Sequence, residues 1–136
     1  MVTGLVDRAK GKTAISTQYM SQGAAFYANA QDNITATPSG TQANSLVLQQ
    51  QQSRITTVAT AGDGVRLPPA LPGAALVVVN DAAANAANVW PAATTQGGVA
   101  GGDRINVLAQ NAAFSLTVAL GVTIFYCFTL GTWRTK

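Results

Sequence analysis

Between residues 54 and 90 the chain alternates short β-branched runs with clusters of turn residues. Residues 55–58 (ITTV) read as a strand, Ala61-Gly62-Asp63-Gly64 as a tight reversal, and residues 65–67 as the return. Asp-Gly between strand-like runs signals a hairpin, because a primed turn needs positive φ at its centre. Pro68, Pro69 and Pro72 stop the returning strand, since proline cannot donate to a ladder. Residues 76–79 (LVVV) follow as a strand closed by Asn80-Asp81, and residues 88–90 answer it before Pro91. Further on, Asp103 to Asn106 re-enters order and residues 114–118 alternate apolar and polar positions. Residues 122–128 (VTIFYCF) are the most hydrophobic strand, and Leu130-Gly131 turns into the last, residues 132–134. Short strands at regular spacing predict an all-β fold, a small antiparallel β-sandwich or barrel over residues 53–136. No helix longer than about two turns is expected there.

Two strands break the alternation. In residues 122–128, Ile124, Tyr126 and Phe128 face one way while Phe125 and Cys127 face the other, and residues 76–79 are apolar on both faces. Antiparallel strands in a lone small domain usually leave one face wet. Burial of both faces therefore predicts cover from a second sheet, from the N-terminal region or from a neighbouring subunit. A domain of this size buries only about 60–65% of its unfolded surface and is marginal alone. A homo-oligomer, a trimer in the first instance, is expected, with Ile124, Phe125, Tyr126 and Phe128 at the subunit contact.

Residues 1–52 have a different texture. They are rich in Gln, Ser, Thr, Ala and Asn, and neither helical nor strand periodicity persists. A short helix over residues 16–30, a turn at Pro38-Ser39-Gly40 and a short strand within residues 43–48 are the local expectations. Such a segment buries too little apolar area to order alone. It reads either as a solvated tail or as an extended N-terminal arm that orders against a partner. The scattered aromatics favour the arm, with Tyr19, Met20, Phe26 and Tyr27 as its partner-binding residues.

Composition narrows the chemistry. There is no histidine and no glutamate, so all five acids are aspartates. Each lies beside glycine, asparagine or a basic residue, the usual setting for turns and caps. Without histidine the commonest general base near neutral pH is missing. No cluster of Asp, Lys, Tyr or Cys replaces it, so no catalytic residue and no cofactor is expected. Asp63, Asp81 and Asp103 lack the spacing of a calcium loop, and no metal site is expected. Four glycines within residues 97–102 resemble a phosphate cradle, but the Gly-Lys-Ser/Thr of a P-loop is absent. Arg54, Arg66, Arg104 and Arg134 could line a basic strip, yet a net charge of +3 with no basic run does not describe a nucleic-acid binder. Cys127, the single cysteine, reads as a small buried hydrophobe between Tyr126 and Phe128. No apolar run reaches the roughly 18 residues of a membrane span, and MVTGLVDRAKGK does not read as a secretory leader.

The run from residue 55 to 92, with GDRINVLAQNAAFSL, VTIFYCF and GTWRT after it, resembles a group of small virion proteins of tailed bacteriophages. The shared pattern is a V-x-L-P strand end, a V-V-N turn, an N-V-x-P strand, a D-x-I-N turn, an Asn-Ala-Ala-Phe segment and a terminal Gly-x-Trp. It spans residues 40 to 136. The usual Gly-Lys turn before the penultimate strand is replaced here by Leu120-Gly121. The resemblance implies a capsid decoration or cement protein on the virion surface, with the major capsid protein as partner. A tail or fibre component, or a host-adhesion module that binds carbohydrate through Trp90 or Trp133, is the other reading. An adhesive module needs an exposed aromatic platform, whereas a cement protein keeps these tryptophans mostly buried.

Overall fold

The fold is taken from a computed structural model, described over residues 29–136. The β-branched runs become strands where expected. β1 is Ala30–Thr35, β2 Leu46–Val47, β3 Gln52–Thr57, β4 Gly64–Arg66 and β5 Ala75–Asn80. β6 is Ala87–Trp90, β7 Arg104–Ile105, β8 Phe114–Leu116, β9 Val122–Thr129 and β10 Thr132–Thr135. Among the described residues the only helical geometry is two three-residue 3-10 turns, Thr94–Gln96 and Val118–Leu120. No helix there is long and apolar enough to cross a membrane.

The strands form two sheets. The larger has the order β1-β3-β5-β9-β10-β7 and the smaller β2-β4-β6-β8. Their pairing corrects the antiparallel pattern expected from the turns. β2, β4 and β6 run parallel, and so do β3 and β5. From β2 to β9 the chain alternates between a strand in the small sheet and one in the large sheet, a solenoid-like winding. Antiparallel pairing closes the winding: β8 lies on β6, β9 on β5 and β10 on β9. β7 then adds in parallel beside β10.

The Asp63-Gly64 reversal shows why the hairpin fails. A two-residue primed turn of the expected kind needs positive φ at both central residues, and in this turn only Gly62, at φ 95°, has it. Asp63 instead turns its carboxylate on the backbone, accepting the N–H of Thr60 at 2.9 Å and of Ser39 at 3.0 Å. The turn is then tied to the next circuit by Gly62 N–H to Ala86 O and Asn88 N–H to Asp63 O. β3 and β4 therefore enter different sheets. The β9–β10 hairpin does form, around Gly131 at φ 79°. A Cβ at Gly131 would also meet the Val99 side chain at 2.7 Å, so only glycine fits.

One core is shared by both sheets. Ile55, Val78, Phe125 and Trp133 enter it from the large sheet, and Val65, Val89 and Leu116 from the small one. Fully burying a side chain of this kind contributes about 1.5–3 kcal/mol. The boundary expected after residue 52 is also corrected, because β1 and β2 belong to these sheets and residues 31–136 form one compact unit. Ile34, Ala36 and Leu48 are buried in the core. Each lone apolar residue sits in a short strand or beside a bend, as at Asn33 with φ 55°, so no period announces it. Tyr19, Met20, Phe26 and Tyr27, and nearly all of the helix expected over residues 16–30, lie outside the described residues.

Ile34→Ala is expected to lower stability by about 2–4 kcal/mol, read from urea denaturation. A residue in a solvated arm would change it by no more than about 0.5 kcal/mol.

Candidate interaction surface

β9 runs through the middle of the large sheet, between β5 and β10. Its period of two sends Thr123, Phe125 and Cys127 inward and Val122, Ile124, Tyr126 and Phe128 outward. Phe125 is wholly buried, with Phe114 edge-on to it at 5.7 Å. This corrects its expected place at a subunit contact, since the chain's own core encloses it. The inward pair Phe125 and Cys127 finds its cover within the chain and calls for no neighbouring subunit.

The outward row is different. Phe128 is 78% exposed, Val122 61% and Ile124 38%. Tyr126 is half-buried, with its ring edge-on to Phe128 at 5.2 Å. The register sets Val77 of β5 beside Ile124 and Val79 beside Val122, so the apolar strip is two strands wide. Large apolar side chains gathered on one open face mark an interaction surface more often than scattered ones do.

The two margins of this strip carry unlike charge arrangements. On the β3 side, Arg54 is clamped by two aspartates. Its Nη2 lies 2.8 Å from Asp81 Oδ2, and its Nη1 2.9 Å from Asp32 Oδ1. Asp32 sits below the usual carboxylate range, first because it accepts the Asn33 N–H and then because of Arg54. Arg54 is held above its ordinary value by Asp81 and then Asp32. All three are exposed, so salt screens the cluster and it contributes little to stability. On the other side, Arg134 pairs in register with Tyr126, Lys136 exchanges backbone hydrogen bonds with Ile124, and Arg104 lies opposite Thr132. These three cations have no carboxylate partner among the described residues.

The expected four-arginine strip is thus divided. Arg66 belongs to the small sheet and donates to Gln42 O at 3.1 Å, while Arg54 is neutralised by its aspartates. Only Arg104 and Arg134 share an open margin, and Lys136 joins them. The sequence reading missed Lys136; the alternation that places Arg134 outward was the signal that could have found it.

The remaining candidate groups serve the fold. Asp63, holding two backbone N–H groups, lies below the usual carboxylate range for that reason. Asp103 is fully buried and accepts the N–H of Ala70 at 2.8 Å and of Val99 at 2.9 Å. The glycine-rich loop spends its own amides: Gly97 N–H goes to Thr94 O, Gly98 N–H to Ala93 O and Gly102 N–H to Val99 O. A phosphate cradle needs such groups free and convergent. Burial pushes the Cys127 thiol up, so it is a poor nucleophile. No three acidic or cysteine side chains come together among the described residues. Trp133 is fully buried and donates to Pro68 O, and half-buried Trp90 donates to Gly40 O at 3.0 Å. Neither offers a sugar platform. No protein family model, curated protein or solved structure matches this chain.

Proposed function

We propose that this chain is a structural protein of a tailed-bacteriophage virion, a decoration or cement protein that binds the assembled head shell. The observation that carries this is the coincidence between the residues of the resemblance and the residues that pin the fold. The V-x-L-P end supplies buried Leu67 and the Pro68 carbonyl that receives the Trp133 indole. The V-V-N turn supplies Asn80, whose side-chain amide donates to Asn85 O and Leu116 O. In D-x-I-N, Asp103 joins two loops, while Asn106 at φ 55° exchanges hydrogen bonds with Thr135. The Asn-Ala-Ala-Phe segment supplies Phe114 against Phe125, and Gly-x-Trp supplies the hairpin glycine and the indole.

A pattern made of such pins is what a shared fold would retain, and that supports the reading. The two sheets around one core are read here as the layers of a sandwich-like module. Its partner in this reading is the major capsid protein, reached through a side-chain surface. Burial of that surface on the assembled shell, and not on free subunits, stabilises the shell by mass action.

Purified particles from a phage carrying this sequence test the reading, by mass spectrometry and by imaging. The chain is expected in stoichiometric amount as density on the outer head surface. Density confined to the tail, or absence of the chain from particles, would overturn it.

A further inference from the structure

The outer face of the large sheet combines an apolar strip with one unpaired basic margin, and those two features together select an occupant. We infer that this face docks a protein surface that presents an apolar strip bordered by carboxylates on the side facing β10 and β7. The inference rests on the shell-binding reading and names the chemistry of the shell surface that would be met.

The apolar part comes from Val122, Ile124 and Phe128 with the Tyr126 ring beside them. Aromatic side chains are enriched at the buried centre of interfaces, where a few residues carry most of the energy and apolar neighbours exclude water. The charged part comes from Arg104, Arg134 and Lys136, which point outward along one margin. Rim charges steer encounter and fix register more than they add affinity.

A second copy of this chain is poorly suited to that margin. The sequence holds five aspartates and no glutamate. Asp63 and Asp103 are spent on backbone amides, and Asp32 and Asp81 flank the single Arg54, which leaves one net negative charge there against three cations. Only Asp7, outside the described residues, remains. A second copy would therefore bring three more unpaired cations and almost no acid to receive them. A nucleic acid or an anionic lipid surface meets a different obstacle. The carboxylates of Asp32 and Asp81 are more than half exposed beside Arg54, and a continuous sheet of phosphates would press against them. The apolar strip between the margins also has no use for a phosphate backbone. A folded protein surface of mixed sign meets neither obstacle.

The test uses the full chain, two short probe peptides, one alternating valine with glutamate and the other valine with lysine, and purified head shells. Phe128→Asp and the double variant Arg134→Glu/Lys136→Glu change only exposed positions, and their melting curves establish that the fold persists. The wild-type chain is expected to bind the Val-Glu peptide and not the Val-Lys peptide. Phe128→Asp should weaken that binding by about tenfold or more, and the double variant should reverse the preference between peptides. Equal binding of both peptides, or of neither, would overturn the inference. So would tighter binding to vesicles of phosphatidylserine, or self-association of the wild-type chain that Phe128→Asp abolishes. Shells that bind wild type and both variants alike would remove this face while leaving shell binding intact. Binding of the Val-Glu peptide with none to shells would do the reverse.

Discussion

Trp133→Ala is expected to lower the stability of the folded chain by about 3–5 kcal/mol. Small domains have about 5–15 kcal/mol in all, so this one change removes a large share. The indole is fully buried on β10, with Cys127 and Ile105 as its register partners on the two neighbouring strands. Truncation leaves a cavity between the sheets that neither can close without breaking ladder hydrogen bonds. It also removes the donor that reaches Pro68 O at 3.3 Å. Urea denaturation followed by far-ultraviolet circular dichroism reads the loss, with Trp90 fluorescence as a second probe of the same transition. A loss under about 1 kcal/mol would show that the core does not depend on the indole, and that its central place is misjudged.

The second large effect falls on a single carboxylate. Asp103→Asn is nearly isosteric, yet it should cost about 2–4 kcal/mol, since hydrogen bonds to a charged acceptor contribute roughly 1.5–3 kcal/mol each. In the native chain each carboxylate oxygen accepts one backbone N–H, Oδ2 from Ala70 and Oδ1 from Val99. Asparagine keeps one acceptor and turns its NH2 toward the other amide, setting donor against donor inside the protein. The two loops joined there are the proline-rich link before β5 and the glycine-rich loop before β7. Hydrogen exchange should therefore report early opening at Ala70 and Val99, before global unfolding. Unchanged protection at both amides would show that the carboxylate is dispensable.

The strands were legible and their arrangement was not. Runs such as Leu76 to Val79 and Val122 to Phe128 declare themselves by branching at Cβ and by the glycines, prolines and asparagines around them. Which sheet a strand joins depends on where a turn sends it. At Asp63 that was decided by a side chain capturing backbone N–H groups in two places, one of them at distant Ser39. Nothing in the local period encodes that capture. Ile34 was hidden for a related reason, being the only large buried side chain of its strand. In β9 the two apolar faces were visible, but alternation cannot say which one is inside. Phe125 turned out to be the inner residue, and Ile124, Tyr126 and Phe128 the outer ones. The lack of histidine and glutamate was legible at once, and the structure puts the aspartates it describes to work on the backbone or on Arg54.

The winding order also bears on how the protein is made. β3 and β5 leave the ribosome well before β9 and pair as parallel neighbours, with the other edge of β5 open. The strand that covers this edge, β9, is synthesised some forty residues later, and the indole that fills the core comes after that. Until β9 arrives, the nascent chain carries one open strand edge along Leu76, Val77, Val78 and Val79, the kind of edge on which neighbouring polysomal chains cross-pair. Yield in the cell should then depend on the speed of translation between residues 80 and 129 and on chaperone cover during that interval.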